Sequence, residues 1–527
     1  MFLGACAVMP AYLAHAADSA VPHQDVFFNM WRVSWFAHAL RVHGSLWDAN
    51  IFSPERWTLA MSDAVPVESV VGAALLWLRL PPVLVHNCLI VGAMVGSGVA
   101  MACLAWYLTG SRGAGAVAGL IFAFAPYRIE HLMHLELQWA MWIPLTLLAV
   151  HVAVDEGRRS LGVAIGLGVS LQLLSCVYYG VFLATMLAVG APLFVFVESR
   201  RDRRRSAAIA LALGACIAGA AAAAYALPYR HAEQIVGARP SSEVASYSAR
   251  LDDYLAVPES SWLYGDSLAR RGAGERRLFV GAAAMLLAII GLVSGRLDKR
   301  QLVYLGLAVF AVAMSLGSHG YLYSAARAWL LPYRGLRVPA RFAIMTLLCV
   351  SCLAAYGYAR IAAAWPRARH VLACGVISAL MLEYHVALPL VPYANEPSPV
   401  YKVLSRLPRG KVAEFPMPLP HTLPGNEAEY QYMSTFHWNP LVNGYSGNYP
   451  PSYLKRLVEL RGFPDDRALA QLRRDDVSYA IVHASAYDSP ALARIVTALE
   501  RESWPRVGGF NDGGGETVLY MLPRAGR

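Results

Sequence analysis

Charge is scarce in this chain: Asp, Glu, Lys and Arg make up 15% of its 527 residues, against 57% hydrophobic residues. That balance excludes an ordinary soluble globular protein and reads as a polytopic membrane protein. Cysteine chemistry is scarce as well. Cys6, Cys88, Cys103, Cys176, Cys216, Cys349, Cys352 and Cys374 all lie in or beside apolar segments, and the one C-x-x-C, Cys349 with Cys352, has no second pair or histidine beside it. Neither a zinc site nor a disulfide framework is indicated, so the cysteines read as small buried hydrophobes. Also missing are an internal repeat and a nucleotide-binding glycine motif. "NDGGGET" (511–517) lacks the lysine and serine of a phosphate-binding loop and reads as a hairpin turn. The net charge of +10 comes without a basic stripe interleaved with stacking aromatics, which argues against a nucleic-acid partner.

Long hydrophobic runs are what the chain has instead. Stretches able to cross the roughly 30 Å hydrocarbon core fall near 1–17, 83–108, 113–127, 139–154, 160–178, 179–198, 206–226, 278–294, 301–317, 341–360 and 369–388, about eleven in all. Arg112, Arg158 and Arg159, "RRDRRR" (200–205), "GRLDKR" (295–300) and Arg360, Arg367 and Arg369 occupy alternate short loops, which the positive-inside rule places in the cytoplasm. Parity then puts residues 18–82, 128–138, 228–277, 318–340 and everything after about 389 outside. Segment 64–79 must lie at the outer interface without spanning. Residues 1–17 read as a first transmembrane helix; the alternative, a cleaved signal ending in "AHAA", leaves the later topology unchanged. The expected fold is a helical transmembrane domain over 1–388, with a small extracytoplasmic α/β domain over 389–527. Its strand patterns are "GKVAEFPMP", "VSYAIVHA" and "TVLYMLP", and its helix patterns are "DDRALAQLRR" and "PALARIVTALERE".

Ionisable groups concentrate in the outer loops. Loop 128–138 carries Arg128, Glu130, His131, His134 and Glu136 between two apolar runs, where such groups are costly without a partner or a task. Singly, Arg128 and His131 can be read as snorkelling at the interface; as a cluster they read as one wall of a site. In the first outer loop, residues 26–40 place Phe27, Trp31, Trp35 and Phe36 on an apolar face suited to an interfacial amphipathic helix, with Asp25 at its start. Asp25 has two readings, a helix cap and a general base. Asp63 likewise reads as a turn residue or as a second carboxylate. H-x-x-H at His131 and His134 has ligand spacing, and with Asp63 could hold a divalent ion such as Mg or Mn, although the spacing is much commoner than real sites.

The stretches "WRVSWFAHAL" (31–40), "NIFSPERWTLAMSD" (50–63), "GLIFAFAPYRIEHLMHLELQWAMWIPL" (119–145) and "LRVPARF" (336–342) resemble the integral-membrane glycosyltransferases called GT-C, across most of residues 18–390. The resemblance implies transfer of a sugar from a polyprenyl-phosphate carrier to a glycan, lipid or protein acceptor on the outer face of the cytoplasmic membrane, usually with inversion. It implies an essential acidic residue in the first outer loop, the position of Asp25. On that reading Arg337, Arg341 and Arg128 are candidates for the donor phosphate, since guanidinium offers paired bonds to phosphate oxygens; lipid-headgroup anchoring is the bland alternative. Tyr247, Asp252 and Tyr254 lie in the loop expected to close over substrate. His437 and Asn443 belong to the aromatic, amide-rich stretch 429–451, which suits a sugar-binding surface or a core. Burial acting upward and the histidines acting downward are expected to leave Asp25 able to accept a proton near neutral pH. A lipid or solute transporter, or a catalytically silent assembly partner, are the competing classes.

Overall fold

The computed structural model describes residues 1–198, 200–237, 239–511 and 515–523. Ten of the expected spans are helices: Pro82–Thr109, Arg112–Phe124, Trp142–Glu156, Leu161–Ser175, Val177–Glu198, Arg204–Val236, Ala282–Val293, Lys299–Ser315, Ala343–Ala364 and Arg369–Glu383. Among the described residues, five stretches, Pro82–Thr109, Leu135–Glu156, Val177–Val197, Arg204–Val236 and Pro339–Ala364, are long and apolar enough to cross a membrane. Val163, Leu167, Val189, Leu193, Phe196, Leu286 and Ile289 face outward uncovered. An apolar surface of that kind belongs in hydrocarbon, and the chain is a membrane protein.

Local chemistry sets the turns. Gly110, at φ 67°, ends the helix Pro82–Thr109, and the Ser111 hydroxyl accepts from Ala114 N to start the next. Between Ala282–Val293 and Ala343–Ala364 the backbones nearly touch, because a Cβ on Gly357 would lie 1.9 Å from the Leu287 carbonyl oxygen. This pairing holds Ala343–Ala364 deep inside the bundle, its residues Ala343 through Tyr358 all buried.

Three elements depart from expectation. The first segment is not one span: Pro10, which has no N–H to give, breaks it into Phe2–Val8 and Pro10–Ala14, and Tyr12 OH anchors it by donating to Asn87 Oδ1 at 2.5 Å. The helix Gln24–Arg41 does not lie bare on an interface. Trp31 and Trp35 are buried, because Pro66–Trp77 and the tail residues Trp438 and Tyr445 cover it. The helix expected over 206–226 continues to Val236, bringing the Tyr229 hydroxyl within 3.1 Å of Ala64 N. Pro66–Trp77 has 12 residues, too few to span, and exposes Val70, Val71 and Trp77.

After residue 389 the chain forms a four-stranded sheet in the order Lys411–Phe415, Val477–His483, Glu516–Met521, Arg506–Asn511. The first pair is parallel and the others antiparallel, with helices Glu427–Met433, Pro451–Leu460 and Asp466–Arg474 in the parallel crossover. Arg506–Asn511 is a strand the sequence patterns did not mark, since Gly508 and Gly509 interrupt any alternation. Residues 512–514 of the expected hairpin turn lie outside the described residues; its flanks pair through Asn511 and Glu516. The tail docks on the segment between Gln24–Arg41 and Pro66–Trp77 through backbone bonds. Phe52 N donates to Asn443 O at 3.0 Å, Ser53 N to Leu441 O at 2.8 Å and Leu441 N to Asn50 O at 2.8 Å.

Candidate active site

The cap reading of Asp25 is settled by its neighbour. His23 caps the helix Gln24–Arg41, its Nδ1 accepting from Asp25 N at 3.1 Å, which leaves the Asp25 carboxylate for other partners. Asp25 Oδ2 lies 2.8 Å from His134 Nδ1, and Oδ1 accepts the Tyr445 hydroxyl at 2.5 Å. The structure therefore joins the helix Gln24–Arg41, the His-rich loop and the tail at one carboxylate.

Arg128 holds the His-rich loop in shape. Its Nη1 and Nη2 donate to the carbonyls of Leu137 and Gln138 at 2.8 Å, while Gln138 Nε2 returns bonds to Arg128 O and His131 O. Both terminal nitrogens of the buried Arg128 are thus committed to its own loop, so it serves as an internal clip and not as a ready partner for a donor phosphate. The clip presents His131 and His134 to Glu275. His134 Nε2 is 3.5 Å from Glu275 Oε1, and His131 Nδ1 is 3.8 Å from Oε2. Arg341 grips both Glu275 oxygens, with Nε donating at 3.0 Å, and stacks over the Tyr178 ring with its guanidinium carbon 4.9 Å from the centroid.

The protonation states follow from these contacts. Burial pushes the Asp25 carboxyl up, but the hydrogen bond and charge of His134, with His23 and Tyr445, outweigh it and hold Asp25 well below the usual carboxylate range. Asp25 is thus a far weaker base at rest than its sequence setting suggested. Burial likewise works against charge on His134, and its bonds to Asp25 and Glu275 lift it to about 9. His131 is pushed down to about 3, chiefly by burial, and is neutral. Burial raises Glu275, but Arg341 and the two histidines hold it well below the carboxylate range. Asp25, His134, Glu275 and Arg341 thus form a charge-balanced quartet.

A second cluster lies behind the first. Arg32 donates to Glu136 Oε2 at 2.5 Å, to Asn29 Oδ1 at 2.6 Å and to the Asp63 carbonyl at 2.8 Å. Asn29 Nδ2 in turn donates to Met133 O at 2.8 Å, beside His134. Asp63 accepts Val177 N at 3.3 Å; burial, then the charge of Glu136, pushes its carboxyl up to about 6. Among the described residues, the group able to hold a metal ion is His131, His134 and Glu275, whose ligand atoms lie within 4.8 Å of one another. Glu275 takes the place expected for Asp63. Two imidazoles and a carboxylate suit a divalent ion, and the buried His131 Nε2 has no hydrogen-bond partner. The residues therefore fit such an ion.

Arg337 lies one step from the quartet. Its Nη1 donates to Glu243 at 2.7 Å, its backbone N donates to Tyr178 OH at 3.0 Å, and its guanidinium sits over the Tyr247 ring. Other candidates lie elsewhere. Asp252 is exposed on the turn Leu251–Leu255. Tyr254 OH bonds Ser315 and Thr346 between helices. His437 is enclosed in the tail, its Nδ1 accepting from Asn439 N. Asn443 stitches Glu414 to Glu427 inside the tail. Glu275, Tyr445, Arg32 and Tyr178 were not singled out from sequence. "GERR" around Glu275 reads as a solvated charge run, and its signal would have been its place in the long connection between Arg204–Val236 and Ala282–Val293.

Neither a family model nor a curated protein matches the chain. Among solved structures, the chain is similar to the Archaeoglobus fulgidus oligosaccharyltransferase in complex with Zn and sulfate, at 11% identity and TM-score 0.48, over 99% of this chain and 73% of that one. It is similar to the archaeal oligosaccharyltransferase AglB from Archaeoglobus fulgidus in complex with an inhibitory peptide and a dolichol-phosphate, at 10% identity and TM-score 0.45, over 99% and 73%. It is also similar to ArnT from Cupriavidus metallidurans in the apo state, at 13% identity and TM-score 0.48, over 98% and 96%.

Proposed function

We propose that the chain is a GT-C type glycosyltransferase of the cytoplasmic membrane. It moves a sugar from a polyprenyl-phosphate-linked donor to an acceptor hydroxyl on the outer face. The observation that carries this reading is the quartet itself: an ionised carboxylate with one oxygen fixed by an imidazolium, and a second cation, Arg341, on the far side of that imidazolium. Inverting transfer needs this separation of charge, with a base at the acceptor and cations at the leaving phosphate.

His134 holds Oδ2, so the acceptor hydroxyl meets Asp25 at Oδ1, the oxygen on which Tyr445 now sits. As the acceptor oxygen bonds to the sugar's anomeric carbon, the bond from that carbon to phosphate breaks and its electron pair leaves with the phosphate. The acceptor proton, acidified as its oxygen forms the new bond, passes to Asp25. His134 and Arg341 face the growing phosphate charge, with Arg337 next in reach. A divalent ion held by His131, His134 and Glu275 would take the place of the His134 Nε2 proton, leaving Nδ1–H on Asp25, and would supply the positive charge there in the imidazolium's stead.

The test is a transfer assay on the purified protein with a panel of lipid-linked sugars. Asp25→Asn keeps shape and removes the basic oxygen, so it is expected to fold and bind donor normally while losing transfer by about two to four orders of magnitude. Near-normal transfer by this variant would refute Asp25 as the base, and no transfer by the wild type from any donor would refute the transferase reading.

A further inference from the structure

Four arginines stand in series between the exposed surface and Arg341 of the quartet. Arg334 is exposed and, with Ser324, Arg327 and Ala328, lines an open cavity of about 390 Å³. Arg327 Nη2 donates to the Arg239 carbonyl at 2.9 Å, while its Nη1 is buried and has no hydrogen-bond partner. Arg239 and Arg337 share the Glu243 carboxylate at 3.3 and 2.7 Å. Tyr178, whose hydroxyl accepts from Arg337 N, carries Arg341 on its ring. The carboxylates these guanidiniums pair with are Glu243 and Glu275, so positive charge is in surplus along the row.

The helices that carry these lining residues have a different character elsewhere. On and between Tyr321–Trp329 and Leu331–Arg334, the side chains of Tyr321, Leu322, Trp329, Leu330 and Leu331 are uncovered, with Tyr321 and Trp329 at 84% and 86% exposure. Aromatic and aliphatic side chains beside arginine are the pattern of a membrane–water interface. A small soluble anion would answer the arginines and leave these side chains in water. A phosphate carrying a long hydrocarbon tail answers both.

We propose that this cavity is the loading site of the lipid-linked donor. Arg327 and Arg334 take its phosphate while the tail lies along the Trp329 side, and the head then moves past Arg239 and Arg337 to Arg341. The identity of the lipid rests on the transferase reading; capture of a lipid phosphate does not.

The experiment uses the full chain in nanodiscs of phosphatidylcholine, titrated with a short polyprenyl monophosphate, the matching uncharged polyprenol, inorganic phosphate and phosphatidylglycerol. Arg334 is exposed, so Arg334→Glu tests charge without threatening the fold, and Arg327→Ala and Arg327→Lys complete the set. Affinity for the polyprenyl phosphate is expected to fall about tenfold or more in Arg334→Glu and Arg327→Ala, and less in Arg327→Lys, as loss of a charge-assisted bond requires. Polyprenol binding should not change, inorganic phosphate should bind weakly to every form, and donor KM should rise at constant kcat. Unchanged affinity for the polyprenyl phosphate, or an equal loss for phosphatidylglycerol, would overturn the loading site. Transfer by the wild type with an unaltered donor KM in the variants would sink this inference alone; phosphate-lipid capture without any transfer would sink the transferase reading alone.

Discussion

Arg128 and Arg341 are enclosed to similar degrees, at 1% and 6% exposure, and what separates them is the acceptor each one meets. Arg128 spends its two terminal nitrogens on main-chain carbonyls of its own loop, whereas Arg341 is held by Glu275, a carboxylate whose place, on the proposed reading, an incoming phosphate takes. Arg128→Met should therefore cost about 2–4 kcal/mol of stability, because two buried carbonyls lose their donors, read as a lower melting temperature. The folded fraction should still bind a lipid phosphate within a few-fold of wild type. Arg341→Ala should also melt lower, because it leaves the half-buried Glu275 carboxylate without its cation; unlike Arg128→Met, its folded fraction should bind the phosphate at least tenfold more weakly. Local sequence does not separate two such arginines, since both sit beside apolar runs; the difference is which acceptor folding brings to each. Asp25 and His134 were legible because carboxylate and imidazole beside lipid-soluble segments are costly without a partner. Tyr445 was not, because one tyrosine among many in an aromatic stretch carries no local mark of the carboxylate 420 positions away that it meets.

Helices were the most legible elements, since a run of apolar residues bounded by Gly110, Gly157 or Asp298 leaves few alternatives for length or boundary. What patterning does not reveal is covering. Gln24–Arg41 has the aromatic face of an interfacial helix, and the tail that buries it lies hundreds of residues later. Close contacts between elements are similarly hidden in single glycines. Gly357→Val would drive side-chain atoms into the Leu287 carbonyl, part Ala282–Val293 from Ala343–Ala364 and shift Arg341 at the head of the latter. It is expected to cost about 1–3 kcal/mol or more and to lower the yield of folded protein on gel filtration. The loop that delivers Tyr445 depends on Glu427, which accepts Gly444 N and Tyr453 OH at 2.7 Å and Asn443 Nδ2 at 3.0 Å. Burial, helped by Glu414, outweighs these donors and raises Glu427 to about 7, against an ordinary value of 4.5. The folded state thus holds the proton more tightly than the unfolded one. Its contribution is fully present below pH 4.5 and is lost as pH rises to about 7, on the order of 3 kcal/mol in all. Melting curves between pH 4.5 and 8 should show wild type losing stability relative to Glu427→Gln across that window; parallel curves would contradict the assignment.

For the whole molecule, the distribution of arginine ties orientation to chemistry. The basic loop 200–205 lies between helices Val177–Glu198 and Arg204–Val236, whereas the quartet draws on loops that join the other ends of their helices. His134 follows Arg112–Phe124 at the end remote from Arg112, and Arg341 precedes Ala343–Ala364 at the end remote from Arg360. If the clustered arginines stay in the cytoplasm, the site, the Arg327–Arg334 cavity and the sheet-bearing tail all open on the outer side. On the proposed reading the donor then arrives on the outer leaflet, which is where the uncovered aromatic side chains around Trp329 would meet it. Single cysteines placed in a background without the native eight test this arrangement. Ser405→Cys in the tail should react with an impermeant maleimide in intact cells, and Arg201→Cys, exposed in the basic loop, only after the membrane is opened. The opposite pattern would place the quartet in the cytoplasm, where nucleotide-linked sugars are at hand and a lipid-linked donor is unnecessary, and the mechanism drawn from Asp25, His134 and Arg341 would have to be rebuilt around a different leaving group.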